Sequence, residues 1–194
     1  FTLRCTFLCH FLRICLSLQP KSKSKMMENK EQKTFEPQSA SGVAEKYAEI
    51  LLQVKGLMEG VDNPVGVLAN VAALLKEAFD YYFWVGFYVV RHGELQLGPF
   101  QGPLACFSIQ RGRGVCGTSW AEARTLVVAD VHAFPGHIAC SSQSQSEIVV
   151  PVMKNGEVVA VIDVDSSDLD SFHEADQQGL EAIAQILGSL FPIG

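Results

Sequence analysis

The sequence has little that would tie it to nucleic acid, to a membrane or to a disulfide-built scaffold. Lysine and arginine number 15 against 21 aspartates and glutamates over 194 residues, a formal charge of −6. Nucleic-acid binding needs clustered cations to neutralise phosphates, and an acidic balance argues against it. No apolar stretch reaches the roughly 18 uncharged residues of a spanning helix. Six cysteines are too few to hold a small secreted scaffold together, so each needs its own account. With 48% of residues hydrophobic and 19% charged, a wholly disordered chain is excluded. The length fits one domain with one core.

The amino end differs from the rest. Residues 1–25, FTLRCTFLCHFLRICLSLQPKSKSK, hold five basic residues and no acidic one, and without them the remainder carries −11. Three readings compete: a targeting peptide, since such segments are acid-poor and contain arginine and serine; a membrane-associating basic stretch; or upstream sequence ahead of a true start at Met26 or Met27. The last is preferred, with targeting second. Cys5, Cys9 and Cys15 lack the histidine partners of a zinc site. Residues 28–42, ENKEQKTFEPQSASG, read as a polar linker. A non-globular extension is therefore expected over 1–42 and a folded domain over 43–194.

Val43, Tyr47, Ile50, Leu51, Val54, Leu57 and Met58 recur at helical spacing. Asp62-Asn63-Pro64 supplies a cap and an early proline for a second helix running to about Asp80. Tyr82–Val90, aromatic and β-branched, predicts a buried strand. Arg91–Glu94 is a turn, and Leu95–Leu97 a return strand broken at Gly98-Pro99. Ser146–Met153 and Glu157–Val164 flank Asn155-Gly156, a strong hairpin signal. Ser171 to Glu174 has capping-box spacing before a helix reaching about Leu190. The hairpins imply an antiparallel sheet with helices over one face, an α+β fold. The weakly periodic stretch from Phe100 to Gln145, with a short strand at Leu126–Val128 and one helical turn near Thr118–Ala123, is too long for an idle loop and is expected to be functional.

Cys106, Cys116 and Cys140 all lie in that excursion, among glycine, serine and histidine rather than in the periodic core elements. Inert burial is the plain alternative, since free cysteine is commonly buried. The absence of a C-x-x-C pair among the three argues against zinc, and no metal is expected. Gly112–Gly117 matches G-x-G-x-x-G, but it falls mid-chain between antiparallel elements rather than after the first strand of a β-α-β unit, so a dinucleotide site is rejected. A loop entering a helix is the better reading, with Arg111, Arg113 and the helix end lowering the pKa of a nearby thiol. His137 precedes Cys140 by three residues, so one helical turn would join them, although such a histidine more often bonds only the loop backbone.

Glu147 begins one strand of the second hairpin, and Asp163 and Asp165 lie two apart near the end of the other, pointing to one face. Counting back from Asn155-Gly156 brings Glu147 to their level. Three crowded carboxyls would repel, so at least one should keep its proton near neutrality. A solvated strand end is the plain alternative. The sharper expectation is a pocket that binds a cation and donates a proton.

The segments GPFQGPLAC, GRGVCGTSW, VADVHAFPGHIACSSQSQSEIVVPV and VIDVDS resemble the free methionine-(R)-sulfoxide reductases, which are built on a GAF domain. The likeness runs from about Tyr47 to Leu190. It implies a GAF-like central antiparallel sheet covered by helices, with a long active-site loop excursion. It also implies a cytoplasmic enzyme of an often dimeric family, reducing free methionine-(R)-sulfoxide without a bound cofactor and recycled by thioredoxin. By matching motifs, Cys140 is the attacking cysteine, Cys106 its disulfide partner and Cys116 an auxiliary third. Glu147, Asp163 and Asp165 match the substrate-binding carboxylates, and Trp84 and Tyr88 the aromatic wall. Trp120, where a small residue is more usual, and the amino end depart from the pattern. The expected chemistry is attack by Cys140 on the sulfoxide sulfur, protonation of the departing oxygen by Glu147, capture of the α-ammonium by Asp163 and Asp165, and closure of a disulfide with Cys106. The alternatives are a non-catalytic ligand-sensing GAF module, expected to carry a signalling helix or output domain, and a peroxide-sensing thiol switch.

Overall fold

The computed structural model describes residues 40–138 and 141–191. Two helices come first, α1 (Ala40–Met58) and α2 (Pro64–Ala78). Helix α1 opens inside the stretch read as linker. Asn63 caps α2 by accepting from the Gly66 amide at 3.0 Å, and Pro64 takes the first helical position, where a missing N–H costs nothing. Then follow β1 (Trp84–Arg91), β2 (Glu94–Gln101), β3 (Ser108–Ile109), α3 (Gly114–Glu122), β4 (Leu126–Val128), β5 (Ser146–Lys154), β6 (Glu157–Ser166) and α4 (Glu174–Leu187). A 3-10 turn at Val131–Ala133 precedes β5, and another at Gly188–Leu190 ends α4.

The strands form one antiparallel sheet in the order β3-β2-β1-β6-β5-β4. Both tight hairpins turn through the left-handed region: His92 and Gly93 have φ of 52° and 81°, Asn155 and Gly156 of 53° and 86°. That conformation matches the twist of the flanking strands. Strand alternation divides the core. Val85, Phe87 and Val89 of β1, Ile148, Val150 and Val152 of β5, and Ala160, Ile162 and Val164 of β6 pack with α1, α2 and α4. The residues between them, among them Trp84, Tyr88, Val149 and Val161, turn to the other face, under α3 and the excursion. The central strands are covered on both faces, which accounts for their continuous apolar runs.

Three local expectations are corrected. Strand β2 is not broken at Gly98-Pro99. It runs through them because β1 and β2 shift register there: Gly86 pairs with Phe100 and Tyr88 with Leu97, leaving Phe87 opposite both Gly98 and Pro99. Such a bulge takes a proline without losing a ladder bond. Helix α3 begins at Gly114, four residues before the expected turn. A Cβ on Gly117 would lie 2.3 Å from the Gln110 carbonyl oxygen, so close packing selects a glycine that weakens the helical signal. Helix α4 is capped at His173, whose amide donates to Asp176 Oδ2 at 3.0 Å, while Ser171 Oγ donates to Ser166 Oγ and the Asp168 carbonyl instead. Asp176 is drawn inward because it also accepts from the hydroxyls of Tyr47 and Tyr81.

Gly179 of α4 faces the ring of Tyr47, where an added Cβ would meet ring carbons at 2.2–2.5 Å. Tyr47 is 2% exposed and hydrogen-bonded, so it cannot swing aside. Gly179→Ala should lower stability by about 1–3 kcal/mol despite the better helix propensity of alanine, read as a fall in the urea midpoint at unchanged m-value.

Candidate active site

The register of the central strands assembles the acids. Asp165 pairs with Trp84 on one side and Glu147 on the other, and Asp163 sits between Gly86 and Val149. The expected level of Glu147 is therefore observed, opposite Asp165. All these side chains share the face that α3 covers. Trp84, Glu147, Asp163 and Asp165 border a cavity together with Tyr88, Cys116 and His137.

Trp84 and Tyr88 form the aromatic wall. The Trp84 ring stacks on Phe100 with centroids 5.3 Å apart and lies near Tyr88 at 6.1 Å. It crosses directly over Gly86, where a Cβ would come within 2.6 Å of the indole. The same two residues pin the loop that carries Cys106: Trp84 Nε1 donates to the Pro103 carbonyl and the Tyr88 hydroxyl to the Cys106 carbonyl, each at 3.1 Å. Cys106 is disulfide-bonded. Cys140, with Ala139, lies outside the described residues, and its neighbours Ile138 and Ser141 both line the cavity.

Glu147 and Asp163 are 6% and 7% exposed. Burial, and then the charges of Asp163 and Asp165, hold the Glu147 carboxyl well above its usual range; a hydrogen bond with Asp163 acts in the same direction. Asp163 is raised by burial and by Asp165, against the lowering effect of bonds from Cys116 and Glu147. Both carboxyls are therefore held toward their protonated forms. Asp163 Oδ1 is buried with no hydrogen-bond partner. Asp165 is pushed to about 6 by burial, moderated by a bond from Ser144.

Cys116 is a free thiol, 3% exposed, with Sγ 3.9 Å from Glu147 Oε1. The expected lowering of a thiol pKa here is reversed. Burial first, and then the nearby Asp163 and Glu147, push it well up. Arg111 does not help, because its guanidinium lies over the Trp120 ring, 5.7 Å from the centroid, and donates to the Ala121 carbonyl. Ligand atoms of Cys116, Glu147 and Asp163 lie within 4.8 Å of one another. A metal there would need Cys116 to release a proton that burial and two acids hold on it. The helical turn considered between His137 and Cys140 reaches outside the described residues; what is seen is His137 itself. Its amide closes a turn onto the Phe134 carbonyl at 3.2 Å, and burial lowers the imidazole pKa, so the ring is neutral.

The GAF domain family matches residues 63–190. Free methionine-R-sulfoxide reductase of Escherichia coli is 43% identical over 143 residues, 73% of this chain and 87% of that protein. The Saccharomyces cerevisiae protein of the same name is 42% identical over 72% of this chain and 82% of its own. The free methionine-R-sulfoxide reductase of Neisseria meningitidis, solved in complex with its substrate, superposes with a TM-score of 0.74 at 49% identity, covering 81% of this chain and 93% of that one. This chain belongs to the free methionine-R-sulfoxide reductases, on a GAF fold. Of the residues matched by motif, Trp84, Tyr88, Cys116, Glu147, Asp163 and Asp165 line this cavity. Gly86, Phe100 and Ser144 were not singled out from sequence. Ser144 alone carried a usable signal, a small polar residue three before Glu147 in a serine-rich run. Among the described residues no helix is long and apolar enough to cross a membrane.

Because the folded-state pKa of Asp165 exceeds its ordinary value, its protonated form favours folding. That contribution is complete below about pH 4 and is lost as pH rises through about 6. Asp165→Asn should therefore match the unsubstituted protein in stability near pH 3.5 and exceed it by about 2–3 kcal/mol at pH 8, measured as urea midpoints at the two pH values.

Proposed function

We propose that this protein reduces free L-methionine-(R)-sulfoxide to methionine by thiol chemistry, and that a thioredoxin-type dithiol returns it to the reduced state. The observation that carries the reading is Asp163, which lines the cavity and whose buried Oδ1 has no partner, beside Glu147, a carboxyl that burial holds toward its protonated form. The first needs a cationic donor and the second can protonate a leaving group. A free amino acid sulfoxide supplies both an ammonium and a departing oxygen.

In this reading the ammonium lies against Asp163 and Asp165, and the S-methyl group between Trp84 and Tyr88. The thiolate of Cys140 attacks the sulfoxide sulfur. As the S–O bond breaks, Glu147 delivers its proton to the oxygen, because oxide is a poor leaving group. The hydroxide so released attacks Cys140 Sγ, the bond between Cys140 and the sulfonium sulfur breaks, methionine departs with that electron pair, and Cys140 is left as a sulfenic acid. The thiol of Cys106 condenses with it, forming a disulfide and releasing water. The disulfide at Cys106 supports this step. A residue within a peptide has an amide where the ammonium would be, and leaves buried carboxylates unpaired at about 1–3 kcal/mol or more.

The test is incubation of reduced protein with racemic free methionine sulfoxide and dithiothreitol. One epimer should be consumed, so that turnover stops at half the substrate, and N-acetyl-methionine sulfoxide should react far more slowly. No consumption, or equal turnover of the N-acetyl compound, overturns the reading. Cys140→Ser should abolish turnover. Glu147→Gln should slow the single-turnover rate by about 10²–10⁴. Since Glu147 acts in its protonated form, the rate should fall as pH rises through its elevated pKa, and this alkaline limb should vanish in the glutamine variant.

A further inference from the structure

Residues 102–107 form a strap beside the cavity, which Leu104 and Ala105 line, and its backbone is tied down at three points. Trp84 Nε1 donates to the Pro103 carbonyl, the Tyr88 hydroxyl to the Cys106 carbonyl, and the Leu97 amide to the Phe107 carbonyl at 3.0 Å. Although the strap is held, two of its large apolar side chains face solvent: Leu104 is 89% and Phe107 87% exposed. They are the two most exposed of the large hydrophobic residues described, and they stand on either side of the disulfide-bonded Cys106. A single exposed leucine needs no explanation. Two such side chains astride a disulfide on a fixed backbone do need one, since apolar surface kept outside a core marks a surface that is covered intermittently.

We propose that Leu104 and Phe107 are the docking surface for the protein dithiol that reduces the disulfide at Cys106. The occupant follows from the chemistry, and this inference rests on the reductase reading above. Thiol–disulfide exchange requires the incoming sulfur to approach a disulfide sulfur directly. A protein that brings its thiolate to Cys106 Sγ must therefore lay its own surface over residues 104–107. The partner thiolate bonds to Cys106 Sγ, the original S–S bond breaks, and the other cysteine leaves as a thiolate that takes up a proton. The second partner thiol then displaces Cys106. Two electrons pass to this chain, and the partner departs as a disulfide. A flat apolar rim around the partner's own dithiol would cover the Phe107 ring and the Leu104 side chain as the sulfurs meet. A small dithiol such as dithiothreitol makes the same exchange without needing either contact.

That difference supplies the test. Steady-state reduction of free methionine sulfoxide by full-length Phe107→Ser is measured twice, with thioredoxin plus its reductase and NADPH, and with dithiothreitol. The KM for thioredoxin should rise about tenfold, the scale of losing one interfacial anchor. The dithiothreitol-supported rate and the KM for methionine sulfoxide should stay unchanged, which also shows that the variant is folded. Adding Leu104→Ser should raise the thioredoxin KM further. An unchanged thioredoxin KM in both variants overturns the inference. So does a parallel loss with both reductants, or a raised KM for methionine sulfoxide in Phe107→Ser, either of which would make the strap part of the substrate site. Absence of turnover with either reductant in the unsubstituted protein would instead overturn the reductase reading.

Discussion

Like charges held close together in a dry place govern this molecule. Glu147, Asp163 and Asp165 occupy neighbouring positions on two hydrogen-bonded strands, so no side-chain movement can separate them without breaking the sheet. Burial makes water unavailable to relieve them. Burial displaces all three carboxyls upward, and repulsion adds to it at Glu147 and Asp163, which is why Glu147, the most enclosed of them, can act as an acid. The rest of the cavity follows from the same register. Trp84 stands opposite Asp165, and Gly86, opposite Asp163, leaves the indole room to lie over the strand. A side chain at position 86 would tilt the ring and open the apolar wall beside the acids.

Such a patch destabilises the fold, and its cost is met on the opposite face. The residues that alternate with the acids, Ile148, Ile162 and Val164, join Val85, Phe87 and the helical residues Tyr47, Leu75, Leu180 and Ile183 in one apolar cluster. Burial of each such side chain contributes about 1.5–3 kcal/mol. The strands thus carry two sequences interleaved at period two, one read by α1, α2 and α4 and the other by the substrate cavity. This also explains why single-residue slippage is excluded: a shift of one would drive carboxylates into the helical core.

Much of this was legible where the chemistry is local. Asn155-Gly156 admits one hairpin geometry, and counting from it carries Glu147 to Asp165 despite the bulge between Val152 and Met153. The Asn63-Pro64 start of α2 is equally self-contained. What escaped depends on contacts between distant segments. Gly98-Pro99 reads as a break because nothing nearby reveals that the partner strand supplies a bulge at Phe87. Helix α3 carries glycines for the sake of the Gln110 carbonyl, which masks its periodicity. The true cap of α4 lies two residues beyond the serine that imitates one, because Asp176 answers to tyrosines more than 90 residues earlier in the chain.

The largest reversal concerns thiols, and it sorts the cysteines by task. From sequence, Arg111, Arg113 and a helix end are expected to lower the pKa of a nearby thiol; at Cys116 the reverse holds. In the fold Arg111 is committed to Trp120 and the Ala121 carbonyl, while the nearest charged groups to the sulfur are acids. A thiol kept protonated is a poor nucleophile and a poor participant in exchange, since exchange proceeds through thiolate. Cys116 is therefore fitted to hold a proton beside Glu147 and Asp163 rather than to carry electrons. Cys106, between two solvent-facing apolar side chains, is in a disulfide. In the proposed chemistry, acidity and redox capacity, which depend on opposite electrostatic settings, fall to different residues: the proton to the acids along the sheet, the electrons to the disulfide at Cys106.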